Sequence, residues 1–183
     1  MMNRNVILFS GVHGVGKGFF ISKNIKVMDP VICIGASTLI RQYQNSEDAG
    51  YKKVKNVWEN QETLLKALQH VKISSDKVLL LDGHLCIINS NTEIERIPVS
   101  FLLRAKIKGI ILLQEKSPLI VKRQQLRDGK CLSNEIVDRI QYEERVFSEM
   151  LFEKYQIPFE VISGTCQRDD FLGIINGMME GNL

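Results

Sequence analysis

Five short apolar runs are spaced along the chain, and within each run the hydrophobic positions are nearly continuous. They occupy residues 6–9, 31–34, 78–81, 109–113 and 159–162. A run of this length without polar alternation is typical of a strand that is buried on both faces, as in a parallel sheet. The pattern therefore predicts a sheet of five parallel strands.

The stretches between these runs have the spacing of amphipathic helices. Apolar residues recur every three or four positions in residues 58–71 and again in residues 136–151. Ser133 is suited to cap the second helix, because a serine oxygen can accept a hydrogen bond from a free backbone N–H of the first turn. Strands that alternate with helices indicate βαβ units, so we expect an α/β fold with helices on both faces of the sheet.

Length and composition limit the choice of protein class. With 183 residues the chain suits one core, and we expect a single domain over residues 1–183. Hydrophobic residues make up 44% and charged residues 25%, ordinary values that argue against a disordered chain and against a membrane protein. The net charge of +3 suits small anionic ligands and is too small to indicate nucleic-acid binding.

The cysteines and the first residues indicate the compartment. Cys33, Cys86, Cys131 and Cys166 form no CxxC pair and have no metal-type spacing, so we expect no structural disulfides. Residues 1–10 contain a short apolar run without a small-residue cleavage site, and the run is too short to span a bilayer. We therefore expect a cytoplasmic protein without membrane association.

A glycine-rich loop follows the first predicted strand. Residues 11–18 read Gly-Val-His-Gly-Val-Gly-Lys-Gly, which is G-x-x-x-x-G-K followed by glycine. The glycines let the backbone curl so that successive N–H groups point at phosphate oxygens. A helix starting near Gly16 adds its N-terminal dipole, and Lys17 supplies a positive charge for the outer phosphates of a nucleoside triphosphate. The predicted nucleotide-binding residues here are Gly11, His13, Gly14, Val15, Gly16, Lys17, Gly18 and Phe19.

This loop resembles the GxPGxGKG loop of adenylate kinases and related nucleoside monophosphate kinases, where a glycine after the lysine is normal. His13 stands where that family usually has proline, and Phe19 stands where it usually has threonine, so one phosphate contact is lost. The resemblance implies a P-loop NTPase fold, ATP and Mg²⁺ as cofactors, and a small-molecule acceptor for the transferred phosphoryl group.

Residues 35–41 resemble the TGDMLR segment of adenylate kinases, in which an arginine clamps the acceptor phosphate. Arg41 is the matching arginine, and Thr38 replaces the family's aspartate. A guanidinium fork can hold a phosphate through two parallel hydrogen bonds. The resemblance therefore implies that Thr38 and Arg41 bind the acceptor.

Residues 80–83 resemble the start of the LLDGFPR segment of the same family and then diverge. A carboxylate at the end of a strand beside a P-loop, here Asp82, typically holds Mg²⁺ directly or through water. The arginine that the family has just beyond is absent, and Arg96 and Arg104 are the candidates to replace it. We expect His84 to be a packed or surface residue rather than a catalytic one.

Residues 122–134 form a polar stretch that we expect to be a short lid. Arg123 and Arg127 lie four residues apart and therefore on one helical face. In the kinases that the chain resembles, arginines of this region close over the nucleotide and stabilise the charge that develops on the phosphoryl group. Arg139 matches the arginine that follows the lid. Gly164 lies in a turn that resembles the DGT turn bordering the base.

The leading hypothesis is an ATP-dependent nucleotide kinase in which Lys17, Asp82, Arg123 and Arg127 are catalytic. One alternative is a P-loop kinase of a hydroxyl compound, with Asp82 as the base. Another is a nucleotide-binding regulatory protein with little catalysis, which Phe19 favours. A further alternative is an RNA-associated factor. Its only support would be the net charge and the lysines in residues 52–55, and we interpret these lysines as a solvated helix face. The acceptor, the base preference and the oligomeric state stay open at this stage.

Overall fold

The structure is a computed structural model that describes residues 5–27, 29–46, 57–89 and 92–181. The lysine cluster in residues 52–55 lies outside these ranges. The elements in chain order are β1 Asn5–Ser10, α1 Lys17–Asn24, β2 Val31–Gly35, α2 Ala36–Ser46, α3 Val57–His70, β3 Val78–Asp82, β4 Cys86–Ile88, β5 Ile94–Arg96, α4 Val99–Arg104, β6 Ile107–Gln114, α5 Ser117–Asp128, α6 Asn134–Tyr155, β7 Phe159–Ser163 and α7 Arg168–Glu180.

Five strands form one parallel sheet in the order β2-β3-β1-β6-β7, which confirms the predicted fold class. Each of the five apolar runs lies within one of these strands. A separate antiparallel pair, β4 and β5, was not predicted. Each of its strands has only three residues, too few for a period to be recognised in the sequence.

The sheet has a hydrophobic core on each face because successive side chains of a strand point to opposite sides. In β1, Val6 and Leu8 join one cluster, while Ile7 and Phe9 join the other. The first cluster is covered by apolar residues of α2, α3, α4 and α6, and the second by residues of α1, α5, α6 and α7. Each fully buried leucine or isoleucine of these clusters contributes roughly 1.5–3 kcal/mol relative to an exposed side chain.

Three aromatic rings fix the helix after the glycine loop to the sheet. Phe20 of α1 lies 5.6 Å from Phe9 of β1 and 5.0 Å from Phe171 of α7, measured between ring centroids. Phe9 and Phe171 meet edge to face at 5.8 Å. Because aromatic pairs of this geometry are favourable beyond their buried area, they hold the start of α1 in a defined place beside β1.

The two helices with clear sequence periodicity are confirmed. Residues 58–71 fall almost entirely in α3, and residues 136–151 lie within α6. The Oγ atom of Ser133 accepts a hydrogen bond from the backbone N–H of Ile136 at 3.3 Å, so Ser133 caps α6 as predicted. Among the described helices, none combines the length and the apolar character that a membrane span requires.

The segment predicted to be a lid consists of the second half of α5, a connection over residues 129–133 and the first residue of α6. Gly129 ends α5 in the left-handed conformation, with φ of 66°. A glycine is favoured at such a helix end because it has no Cβ to clash. Closure of this segment over a ligand stays a prediction.

The carboxyl ends of β1, β2 and β3 meet at one edge of the sheet. The register pairs Phe9 with Asp82 and Asp82 with Gly35. The glycine loop, Gly83 and the start of α2 therefore adjoin one another. From β1 the chain first adds strands on one side of the sheet, β2 and β3, and then on the other side, β6 and β7, so the direction changes at β1. Open α/β sheets bind their ligands beyond the carboxyl ends of the strands at such a point.

Candidate functional site

The loop between β1 and α1 needs its glycines. Gly11 has φ of 152°, and a Cβ there would lie 2.5 Å from the carbonyl oxygen of Leu113. Gly14 has φ of 87°, and its Cβ would lie 2.7 Å from Cγ of Gln124. Larger residues would collide with β6 at the first position and with α5 at the second. The loop can therefore curl tightly at the end of β1 and lead directly into α1, as a phosphate-binding loop requires.

Lys17, the first residue of α1, reaches back over the loop. Its Nζ donates a hydrogen bond to the carbonyl oxygen of Gly11 at 2.7 Å and lies 3.8 Å from Oδ1 of Asp82. Burial lowers the pKa of Lys17, while the nearby carboxylates of Asp82 and Glu144 act in the opposite direction. The ammonium group is thus a positive charge held at the mouth of the loop with little competing solvent.

Asp82 ends β3 beside this lysine. Burial raises the pKa of Asp82, and the charge of Lys17 offsets part of that effect. The side chain is 28% exposed, and the exposed part faces a cavity of about 570 Å³ at the carboxyl edge of the sheet. A carboxylate in this position can hold a hydrated cation or accept a proton.

This first cavity contains most of the nucleotide-binding residues predicted from the sequence. The residues that line it are Val12, His13, Gly14, Gly16, Lys17, Gly18, Phe19, Gly35, Ala36, Ser37, Asp82, Gly83, His84, Arg123 and Arg127. Gly11 and Val15 are absent from the lining but contribute carbonyl oxygens that position Lys17, His84 and Arg123. The glycine loop, the strand-end carboxylate and the α5 arginines thus surround one space.

His84 is more central than the sequence indicated. It lines the first cavity and also a second one of about 480 Å³. Its Nδ1 lies 2.8 Å from the carbonyl oxygen of Gly11, the same oxygen that Lys17 contacts. Burial, followed by the charge of Lys17, lowers the pKa of His84 to about 3. The ring is therefore neutral at physiological pH.

The second cavity adjoins the first and has mostly apolar walls. The two cavities share Ala36, Ser37, Gly83 and His84 as lining residues. The remaining residues around the second cavity are Leu8, Ile40, Arg41, Gln44, Asn60, Gln61, Leu64, Leu81, Ile87, Ile97 and Phe101. Among these described residues, no carboxylate is present, and Arg41 contributes the one cationic side chain.

The two predicted acceptor residues have different positions. Arg41 lines the second cavity and is exposed. Thr38 lies outside the lining of both cavities, and its Oγ1 packs beside Gly35, 3.4 Å from where a Cβ of that glycine would be. Arg41 can therefore reach a ligand in the second cavity, whereas Thr38 supports the turn from β2 into α2.

Both α5 arginines contact the glycine loop. Arg123 donates a hydrogen bond from Nη1 to the carbonyl oxygen of Val15 at 2.6 Å, and its Nη2 lies 3.8 Å from Oε2 of Glu115. Arg127 contacts the ring of His13, which pairs with Asp128 at 3.1 Å. The two guanidinium groups that the lid was predicted to supply are thus next to the phosphate-binding loop.

The other arginines that the sequence suggested lie elsewhere: Arg96 and Arg104, the candidates to replace the missing arginine, and Arg139, the match to the arginine after the lid. Arg96 pairs with Glu143 at 2.7 Å, and Arg104 pairs with Glu62. Arg139 is exposed on α6. None of the three lines either cavity in the described structure.

Gly164 also lies outside both linings, in the turn after β7, where a Cβ on the glycine would lie 3.7 Å from Oε2 of Glu115.

Sequence reasoning missed two buried polar residues near the loop. Gln124 donates from Nε2 to the carbonyl oxygen of His13 at 2.6 Å and accepts from the backbone N–H of Leu132 at 2.9 Å. Glu144 is fully buried, and its Oε1 accepts a hydrogen bond from Ser10 at 2.7 Å. Glu144 could have been found, because it follows Ile140 by four residues and precedes Phe147 by three, on the apolar face of the helix.

The fold, the glycine loop and the strand-end carboxylate define a P-loop kinase-like domain. Residues 10–141, more than half of the chain, match the profile of a family described as the AAA domain, and the chain belongs to that family. This agrees with the P-loop kinase class predicted from the sequence, but does not single out the adenylate kinases. No curated protein matches the sequence.

Solved structures share the fold at low sequence identity. A tunicamycin resistance protein from Deinococcus radiodurans is 14% identical, with a TM-score of 0.59 over 97% of this chain and 96% of that chain. A gluconokinase from Sinorhizobium meliloti 1021 is 10% identical, with a TM-score of 0.50 over 98% of this chain and 94% of that chain. Since identity is so low, these likenesses establish the architecture alone.

Proposed function

We propose that the protein is a phosphotransferase that moves the γ-phosphoryl group of ATP to a small acceptor. The observation that carries this proposal is the junction of the two cavities. Lys17 and His84 both contact the carbonyl oxygen of Gly11 there, and Asp82 lies beside them. A donor in the first cavity and an acceptor in the second would meet at these three side chains.

The first cavity suits the triphosphate. Backbone N–H groups of the glycine loop and the start of α1 attract phosphate oxygens, and Lys17 adds a full charge. Arg123 and Arg127, which border the same cavity, can stabilise the charge that spreads over the equatorial oxygens during transfer. These residues, with His13, Gly14, Val15, Gly16, Gly18 and Phe19, form the proposed nucleotide site.

Asp82 fits a magnesium ion bound together with the phosphates. Mg²⁺ prefers oxygen ligands, keeps several of its waters and usually takes one or two carboxylates from the protein. The described residues contain no group of three histidine, cysteine or acidic side chains that could hold a metal ion alone. A single carboxylate beside the phosphate loop is therefore the expected protein contribution, made directly or through water. The bound ion would offset negative charge on the transferring phosphoryl group.

We favour a hydroxyl group as the phosphoryl acceptor. Asp82 lines the first cavity beside Lys17 and directly precedes Gly83, which lines both cavities, so its carboxylate could accept the proton of a hydroxyl if it holds Mg²⁺ through water. The acceptor's hydroxyl oxygen would form a bond to the γ-phosphorus while the bond from that phosphorus to the bridging oxygen breaks. The hydroxyl proton would pass to the Asp82 carboxylate, and ADP would leave. No covalent enzyme intermediate is needed.

A nucleoside monophosphate, the acceptor that the adenylate kinase resemblance implies, is the second candidate. The observation in its favour is that Arg41 lines the second cavity. A guanidinium group there could hold a phosphate in two parallel hydrogen bonds. Against it stand the largely apolar walls and the absence of a second cationic side chain among the described lining residues.

Replacing Lys17 tests the proposed donor site. In Lys17→Ala we expect ATP turnover to fall by roughly 100-fold or more, because a charge at the transferring group is lost. Lys23→Ala is a matched control, since Lys23 lies on the same helix, is exposed and is outside both cavities. Turnover would be followed as ADP release in a coupled assay, and ATP binding by calorimetry.

The same two measurements separate an enzyme from a regulatory protein. Acceptor-dependent ADP release that disappears in Lys17→Ala supports the phosphotransferase. Tight ATP binding without any acceptor-dependent release would instead identify a nucleotide-binding protein with little catalysis. Equal turnover in wild type and Lys17→Ala would disprove the proposed site.

A further inference from the structure

Two polar side chains behind the glycine loop line neither cavity, yet they are hydrogen-bonded to each other. Ser10 ends β1, Glu144 lies on α6, and both are fully buried. The Oγ atom of Ser10 donates a hydrogen bond to Oε1 of Glu144 at 2.7 Å. A buried carboxyl group costs free energy that an apolar side chain would not, so packing of α6 on the sheet does not by itself account for Glu144.

Ser10 connects this carboxyl group to both segments that border the candidate site. Its Oγ accepts a hydrogen bond from the backbone N–H of Leu85 at 2.8 Å, and the same N–H lies 3.3 Å from Oε1 of Glu144. Ser10 directly precedes Gly11, and Leu85 directly follows His84. The three bonded groups therefore fix the end of β1 relative to the segment after β3.

The carbonyl oxygen of Gly11 determines where the ammonium group of Lys17 lies. The Nζ atom donates to this oxygen at 2.7 Å, and an ammonium group has two further hydrogens that can bind phosphate oxygens. A glycine restrains its own peptide weakly, because it has no Cβ. The orientation of the Gly11 carbonyl therefore depends on the anchoring of its neighbour, Ser10.

Helix α6 is itself held at the carboxyl edge of the sheet. Gln141 precedes Glu144 by three residues and so lies on the same helical face. Its side chain exchanges two hydrogen bonds with the backbone of Glu115, directly after β6, each at 3.0 Å. The side chain of Gln114 donates to the carbonyl oxygen of Gln141, also at 3.0 Å. Glu144 thus projects from a helix that is bonded to the sheet beside it.

We propose that Glu144 and Ser10 are positioning residues for phosphoryl transfer. Oε1 of Glu144 holds Ser10, Ser10 fixes the adjoining Gly11 peptide, and the Gly11 carbonyl directs Lys17 at the outer phosphates of the nucleotide. Neither Glu144 nor Ser10 touches the nucleotide, so both act through Lys17. This inference rests on the proposed function, because it requires ATP in the first cavity.

The affinity for a triphosphate relative to a diphosphate reports the position of Lys17, since the lysine faces the outer phosphates. Calorimetry in the presence of Mg²⁺ would give one Kd for the β,γ-imido analogue of ATP, which resists hydrolysis, and one for ADP. In Ser10→Ala and in Glu144→Met, we expect the Kd of the analogue to rise roughly 10-fold more than the Kd of ADP, as for one lost hydrogen bond to a charged group. Lys17→Ala should change the ratio of the two constants at least as much.

Ser148→Ala is the matched control for Ser10→Ala. Ser148 is also a fully buried serine, and its Oγ donates to the backbone carbonyl oxygen of Glu144 at 2.8 Å. Its removal should lower the free energy of unfolding and leave the ratio of the two Kd values unchanged. A purely structural role of Ser10 would give the same result in Ser10→Ala.

Glu144→Gln tests which property of the carboxyl group matters. A glutamine keeps an oxygen that can accept from Ser10, so this variant should recover most of the triphosphate preference that Glu144→Met loses. A ratio in Glu144→Gln as low as in Glu144→Met would contradict positioning through the Oε1 hydrogen bond.

The outcomes separate this inference from the proposed function. If Lys17→Ala changes the ratio but Ser10→Ala does not, or if Ser148→Ala changes it as much as Ser10→Ala, the positioning role is refuted and the donor site stands. If wild type binds neither nucleotide, or if Lys17→Ala leaves the ratio unchanged, the proposed donor site fails and the inference fails with it. Ser10→Ala carries the test alone if Glu144→Met does not fold.

Discussion

The hydroxyl of Ser10 donates a hydrogen bond to Oε1 of Glu144 at 2.7 Å, although 134 residues separate the two in the sequence. The backbone N–H of Leu85 donates to Ser10 Oγ at 2.8 Å and lies 3.3 Å from the same carboxyl oxygen. Ser10 directly precedes Gly11, which positions Lys17 and His84. Glu144 therefore joins the end of β1 and the segment after β3 to α6, directly behind the candidate site.

Glu144 should make stability depend on pH. Burial raises the pKa of Glu144 above its ordinary value of 4.5, so the folded protein holds this proton more tightly than the unfolded chain. The stabilisation is fully present below the unfolded pKa and is lost as pH rises through the higher folded pKa. As the pH rises from about 4.5, we expect the free energy of unfolding of wild type to fall relative to Glu144→Gln. Urea denaturation across this range measures the difference.

Glu149→Gln is the control for this experiment. Glu149 lies on the same helix, is partly exposed and pairs with Arg145 at 3.1 Å. Its removal should leave the pH dependence of stability close to that of wild type. If Glu144→Gln followed the wild-type curve as closely as Glu149→Gln does, burial would not raise the pKa of Glu144 in the folded protein.

Gly14→Ala should damage the phosphate loop. The new Cβ would lie 2.7 Å from Gln124 Cγ, and φ of 87° is strained for alanine. We expect a loss of about 1–3 kcal/mol in unfolding free energy together with weaker ATP binding. Gly173→Ala is the matched substitution, because Gly173 is exposed in α7 with no atom within 4 Å of its Cβ position. It should stabilise the protein by roughly 0.5–1 kcal/mol. Equal effects of the two changes would argue against a strained loop.

Gln124 should couple the loop to the proposed lid. Its amide joins the carbonyl oxygen of His13 to the backbone N–H of Leu132. In Gln124→Met both groups lose their partner, which should cost about 1–3 kcal/mol and expose residues 129–133 to faster amide hydrogen exchange. Lys122→Met, at an exposed position on the same helix, should change neither quantity appreciably. Unaltered exchange in Gln124→Met would show that the connection is held by other contacts.

The role of Arg123 in the proposed phosphoryl transfer should require a guanidinium group at this position. Nη1 donates to the carbonyl oxygen of Val15 while Nη2 faces Glu115, and a lysine cannot hold both partners in this planar arrangement. If the proposed kinase activity is present, Arg123→Lys should lower turnover roughly 10-fold or more. Arg139→Lys, at an exposed position outside both cavities, should preserve it. Comparable turnover in Arg123→Lys and Arg139→Lys would show that Arg123 is not a catalytic residue.

The parts of the site that the sequence predicted are those encoded by neighbouring residues. The spacing of Gly11, Gly16 and Lys17 indicated a phosphate loop because such a loop is built by consecutive residues between a strand and a helix. Asp82 was found in the same way, since it ends an apolar run. Arg123 and Arg127 were found through their helical spacing, and the structure brings both to the loop.

His84 and Gln124 could not be predicted by the same reasoning. Each owes its importance to a contact or a cavity formed by segments far apart in the sequence, and a lone histidine or glutamine has no spacing that marks it. For Thr38, which a matching position in a family motif assigned to the acceptor, the structure shows a side chain beside Gly35 and outside the lining of both cavities, so its binding role stays a prediction.

By itself, the sequence determined the parallel sheet, its helices, the cap at Ser133 and the loop that defines the family, because all of these depend on short-range periodicity and turn chemistry. Tertiary structure alone decided which polar groups meet at the carboxyl edge of the sheet. That outcome depends on strand order and register, which align Phe9, Asp82 and Gly35, and on the bond from Ser10, the residue after Phe9, to Glu144. Burial at that edge then raises the pKa of Glu144 and lowers the pKa of His84, and no local sequence pattern encodes these shifts.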